Sequence, residues 1–185
     1  MPITLNGSGT VTGISAGGLP DGCIQSADLA TGVGGKILQV KQAVKTDKFT
    51  SSASTADITG LSVNITPAAS TSKIFIIASV NAMANNVGCA YKLNGTANGD
   101  ISIAAADGSR TRASSGDVYE SNNSPFYTHV TCFLDSPNTT SQQTYKVISI
   151  STQSSTIKIN RGNTDTDTNT KINGVSSITV IEVAA

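Results

Sequence analysis

An all-β fold is expected of this chain, an antiparallel β-sandwich or jelly roll preceded by an extended N-terminal arm. Three observations lead there. Apolar segments are short, rich in Ile, Val, Phe and Tyr, and bounded by turn residues such as Thr66-Pro67, Asn94-Gly95, Ser136-Pro137-Asn138 and Asn173-Gly174. No segment carries a sustained helical period. The first residues, unlike the rest, bead single apolar side chains between glycines.

The arm spans residues 1–34. Ile3, Leu5, Val11, Ile14, Leu19, Ile24, Leu29 and Val33 alternate with Gly7, Gly9, Gly13, Gly17, Gly18 and Gly22. Such spacing cannot bury a core of its own. It suits an extended segment that docks onto something larger, with Leu5, Val11, Ile14 and Leu19 as the docking side chains. Fully extended, the arm would reach on the order of 110 Å. Ser26 is placed to cap one helical turn at 26–30. Gly34-Gly35 marks the hinge to the second domain, residues 35–185.

Strands follow at about 37–44, 58–66, 73–83, 88–94, 100–104, 126–135, 143–151, 155–160 and 175–183. Many short strands with no convincing helix indicate a sandwich or jelly roll. Residues 105–124, rich in Ser, Asp, Arg and Asn, read as a long surface loop.

Side chains alternate faces along a strand. In 73–83, Ile74, Ile76, Ala78, Val80 and Ala82 form an aliphatic set that belongs in the core. Phe75, Ile77, Ser79, Asn81 and Met83 form the opposite set. In 126–134, Phe126, Val130, Cys132 and Leu134 read as core, and Tyr127, His129, Thr131 and Phe133 as the reverse. Apolar residues on the second face need a second partner, because each left in water forgoes about 1.5–3 kcal/mol. Phe75, Ile77, Met83, Tyr127, His129 and Phe133 are therefore the expected oligomer interface, and another copy of the chain is the simplest partner.

Composition narrows the function. Charged residues are 13% of the chain and formal net charge is zero, so phosphate-driven nucleic-acid binding is not expected. No apolar run reaches the length of a membrane span, and the N-terminus lacks the pattern of a signal peptide. Cys23, Cys89 and Cys132 give neither a disulfide framework nor a zinc pattern, which fits assembly in a reducing cytoplasm. Cys89 and Cys132 read as small core residues.

Several motifs match chemistry only superficially. Gly13-Ile14-Ser15-Ala16-Gly17 matches a hydrolase elbow, but Gly18-Leu19-Pro20 follows where a helix must start. Gly32-Val33-Gly34-Gly35-Lys36 has Ala30 and Ile37 where a phosphate loop needs Gly and Ser or Thr. Asp165-Thr166-Asp167-Thr168-Asn169 opens like a calcium loop but lacks the sixth-position Gly and the closing Glu, which leaves a weak cation site at 161–172 as the most it could offer. His129, the single histidine, could supply a trigonal metal site from three copies; a packed interface histidine is the simpler reading. Asn-x-Ser/Thr triplets at Asn6, Asn64, Asn94, Asn122 and Asn138 carry little weight in so Asn- and Ser-rich a chain. No catalytic residue, cofactor or metal is expected.

The stretches ITPAASTSKIFIIASV (Ile65 to Val80) and TLNGSGTVTGISAGGLPDGCIQSADLATGVGGKILQV (Thr4 to Val40) resemble segments of bacteriophage virion proteins, notably of marine phages. Phe133-Leu134-Asp135-Ser136-Pro137, TYKVIS and the closing GVSSITVIEV resemble the same family. The resemblance implies a trimeric jelly roll of the tumour-necrosis-factor or C1q type, with the arm as virion anchor or short shaft. The function it implies is a non-enzymatic head fibre, spike or capsid-decoration protein, located in the virion. Its partners would be two sister chains and the major capsid protein or another virion protein. The alternative is a tail-fibre module that reads host surface glycans. That module would use loops 105–124 and 161–172, through Arg110, Arg112, Asp117, Tyr119, Arg161, Asp165 and Asp167. Aromatic residues are only 4% and Trp is absent, which gives a sugar site little to stack on.

Overall fold

The computed structural model describes residues 4–5, 11–12, 36–84, 88–116, 127–152, 156–162, 164, 166–169 and 171–185. Contacts divide the chain into two units, Met1–Lys36 and Ile37–Ala185. In the first, β1 (Thr4–Leu5) and β2 (Val11–Thr12) pair antiparallel, with Leu5 opposite Val11. The arm therefore folds back on itself here instead of running straight. The helical turn expected at 26–30 lies outside the described residues.

The second unit is an antiparallel β-sandwich with no helix among the described residues. Its strands are β3 (Ile37–Lys45), β4 (Phe49–Ser51), β5 (Thr55–Ile65), β6 (Lys73–Ala84), β7 (Cys89–Gly95), β8 (Gly99–Ile101), β9 (Ser115–Gly116), β10 (Tyr127–Asp135), β11 (Gln143–Ser151), β12 (Ile157–Ile159) and β13 (Ser176–Val183). Every strand expected from the sequence is present. The additional ones, β4 and β9, have three and two residues, too few for a periodic signal.

One sheet runs β3-β13-β6-β10, with β12 and β4 continuing it beside the far end of β6. The other runs β5-β11-β7, with β8 and β9 on the outer edge of β7. The long strands alternate between sheets in chain order, from β3 through β5, β6, β7, β10 and β11 to β13. That interleaving is the jelly-roll-like arrangement, and it makes most core contacts non-local.

The core lies between the sheets. Ile74, Ile76, Ala78, Val80 and Ala82 of β6 are all buried, as their alternation requires. They meet Ile58, Leu61, Val63 and Ile65 of β5 and Leu93 and Val147 of the opposite sheet. The Tyr145 ring lies over Gly95, where an added Cβ would stand 2.8 Å from its Cε1 atom. Its hydroxyl donates to buried Asp135 at 2.7 Å, and the Asn98 amide donates to the other oxygen of that carboxylate.

Two more buried polar residues organise strand ends. Glu182 accepts hydrogen bonds from Gln39 Nε2 (2.6 Å) and the Ala68 amide (2.7 Å), which pins the 66–72 loop to β13. Asn160, at φ +60°, donates to the carbonyls of Lys45 and Asp47 and accepts from the Ser176 hydroxyl. Ser176 in turn accepts from the Asn81 amide. Four segments are joined through that one side chain.

Candidate functional site: the outer face of the β3-β13-β6-β10 sheet

The register of this sheet sets three rows of residues across its outer face. Val40, Ile181, Phe75 and Leu134 form the first, Gln42, Thr179, Ile77 and Cys132 the second, and Val44, Ser177, Ser79 and Val130 the third. Residues directly opposite in antiparallel strands project to the same side. The first row is thus an unbroken apolar stripe across the whole sheet. No member of the three rows carries a charge.

Much of this face is open to solvent. Val40, Val44, Leu134 and Val130 keep 54, 52, 53 and 58% of their surface exposed, whereas Phe75, Ile77 and Ile181 are half-buried. Polar groups border it. Lys73 Nζ donates to Ser136 Oγ at one end, and Thr128 bonds Asn81 at the other. An exposed apolar stripe flanked by uncharged polar side chains is the kind of surface that associates.

The expected interface is partly redrawn. Phe75 and Ile77 lie on the outer face. Met83 shares their side of β6 by register but is 1% exposed, so it is not part of the open face. Tyr127, His129 and Phe133 pair with Ala82, Val80 and Ile76, the core-facing residues of β6, so they project inward. Phe133 packs on the core, His129 is half-buried, and Tyr127, at the strand start, stays 37% exposed.

The phase of β10 is therefore the reverse of the expected one, and Val130, Cys132 and Leu134 point out. Both alternate sets of this strand are about equally apolar, so periodicity alone could not choose. Asp135 chooses: its carboxylate bonds Tyr145 and Asn98 inside, which turns every odd residue of the strand inward. Cys132 is accordingly exposed, while Cys89 is buried as expected. The outer role of Val130, Cys132 and Leu134 had no local sequence signal, since an acid closing an apolar run would ordinarily be placed outward, with the odd residues of the strand.

His129 lies between the sheets, its ring 5.1 Å from that of Tyr91 and tilted by 51°. Its Nε2 atom is buried with no hydrogen-bond partner, and burial holds the imidazole below its ordinary pKa. An inward ring is not available to a metal site formed between outer faces.

The other expected residues are scattered. Of the docking arm, Leu5 and Val11 sit in β1 and β2, and Ile14 and Leu19 lie outside the described residues, as do Asp117, Tyr119 and Asp165. Arg110 pairs with Asp107 on an exposed turn, and Arg112 Nε donates to the Ala104 carbonyl at 2.6 Å. Arg161 and Asp167 line a polar hollow of about 200 Å³ together with Lys48 and Lys171. Among the described residues no group of three His, Cys, Asp or Glu side chains is placed to hold a metal ion.

No family model matches the chain, and no curated protein is found similar to it.

Proposed function

We propose that this chain is a non-enzymatic structural subunit of a bacteriophage particle, a short trimeric head fibre, spike or capsid-decoration protein. Residues 1–34 attach it to the capsid or a neighbouring virion protein. The observation that carries the reading is the outer face of the β3-β13-β6-β10 sheet, whose three rows carry no charge and whose first row is an exposed apolar stripe. Its neutrality matters as much as its grease. In a threefold ring neighbouring subunits meet through two different patches, but side chains near the axis approach their own copies, and an uncharged face does so without like-charge repulsion. The resemblance of both the arm and the β-domain to phage virion proteins supports the setting.

Leu134→Asp and Val130→Asp test it, because both positions are exposed and neither substitution disturbs the core. Light scattering is expected to give a trimer for the native chain and a folded monomer for each variant. A native chain that remains monomeric at high concentration overturns the reading. Cys132 offers a second readout: alkylation of its thiol is expected to be slow in the assembly and fast after dilution, since it lies within the face.

The hollow lined by Lys48, Arg161, Asp167 and Lys171 favours a second reading, recognition of acidic host surface glycans by a tail-fibre module. Copy number distinguishes them. Hundreds of copies on the head support decoration, and a handful at the tail support host recognition.

A further inference from the structure

We propose that His129 is an acid-sensitive latch under β10, and that protonating it loosens this strand and with it the association face. The consequence for association rests on the assembly reading above; the loosening of the strand does not.

The argument begins with where the ring sits. His129 is the third residue of β10, and its flanking residues Thr128 and Val130 point outward. Among the described residues β10 has one ladder partner, β6. Detaching it breaks a single ladder and removes Val130, Cys132 and Leu134 from the outer face at once.

The ring is half-buried, and the space that its inner side meets suits the neutral form. Ala78 and Val80 of β6, Tyr91 and Leu93 of β7, Ser115 of β9 and Val147 of β11 line the adjoining space, about 10 Å³. That volume is about one water at most, too little to hydrate a cation. The titratable groups near it are few. The Tyr91 phenol donates to Cys89 Sγ at 3.2 Å, and burial, reinforced by Cys89, keeps it protonated well above its ordinary range. Lys92, also at the edge of this space, pairs with Asp100. No described carboxylate faces the ring, and burial alone accounts for the lowered affinity of His129 for a proton.

The sign follows directly. When β10 opens, the imidazole regains its ordinary value of 6.5; when closed, its value is lower. Below pH 6.5 protons therefore favour the open strand. One proton raises the opening constant by up to about tenfold per pH unit, levelling off at the closed-state value.

Hydrogen exchange of residues 127–135, corrected for intrinsic rates, tests this between pH 8 and 5 on the full chain, alongside sedimentation of the same samples. The native chain is expected to show the rise in opening below pH 6.5 and, over the same range, dissociation. H129Q and H129F are expected to show neither; the phenyl ring keeps the contact with Tyr91 if the amide variant fails to fold. Identical pH dependence in native and variant chains overturns the latch. A chain monomeric at every pH removes the assembly reading, and the exchange comparison still decides whether His129 governs the strand.

Discussion

Asn160 ties Lys45, Asp47 and Ser176 together through one buried side chain. Replacing it with Ala leaves the carbonyls of Lys45 and Asp47 without their donor and the Ser176 hydroxyl without its acceptor. It also puts a Cβ-bearing residue without a polar side chain at φ +60°. Unmade buried hydrogen bonds cost about 1–3 kcal/mol, and the left-handed conformation about 1–2 kcal/mol. Asn160→Ala is expected to lose about 2–4 kcal/mol in urea unfolding. Asn160→Gly, free of the backbone term, should lose less by about 1 kcal/mol. Glu182 makes a different residue-scale prediction, one of pH. Burial pushes its carboxyl up, but hydrogen bonds from Gln39 and from the Ala68 and Ala69 backbone outweigh it and hold the group below 4.5. A carboxyl lowered by folding contributes stability that is present above pH 4.5 and is lost as pH falls through its folded-state value. Denaturation at pH 3–5 should show this decline in the native chain and a flatter profile in Glu182→Gln. The window lies below the one assigned to His129, so the two groups can be separated.

At the scale of the element, β10 and its neighbour β6 show what sequence alone could and could not give. The phase of β6 was legible, because one alternate set is entirely aliphatic and the other contains Ser79 and Asn81, though the burial of Met83 was not. The long strands and the turns between them were legible for the same reason: apolar runs of the right length end at Pro, Asn and Gly. β10 was legible as a strand but not in phase, since Tyr127 and Phe133 on one side balance Val130, Cys132 and Leu134 on the other. What settles it is a long-range contact, Asp135 with Tyr145 and Asn98, that has no local signature. The candidate face suffered accordingly: Phe75 and Ile77 could be found, while Val40, Ile181 and Leu134 join them only through register. Two adjacent substitutions put the phase to experiment. Phe133→Asp places a carboxylate against the core and is expected to cost about 3 kcal/mol or more, unfolding much of the protein. Leu134→Asp should leave the melting temperature within a few degrees of the native value and abolish association. The opposite pattern would restore the phase first expected for the strand.

For the whole molecule, the proposed function depends on two weak surfaces acting together. The arm offers isolated apolar residues, each able to contribute a small contact. A single arm would release quickly. Three arms held by one β-domain assembly rebind before all have left, and linked binding of this kind exceeds the single affinity by about 10²–10⁴. Arm and face should therefore fail in different ways when altered separately. Deleting residues 1–34 is expected to leave a trimer of unchanged sedimentation that no longer incorporates into particles. Leu134→Asp in the full-length chain keeps the arm but carries it on a monomer, so incorporation should fall by about 10²–10⁴ and recover in part at high protein concentration. Cryo-electron microscopy of particles assembled with each variant measures both outcomes as occupancy. Equal occupancy for Leu134→Asp and the native chain would mean that a single arm suffices, and the apolar face would then need another role. Normal occupancy for the truncation would move the attachment point onto the β-domain itself.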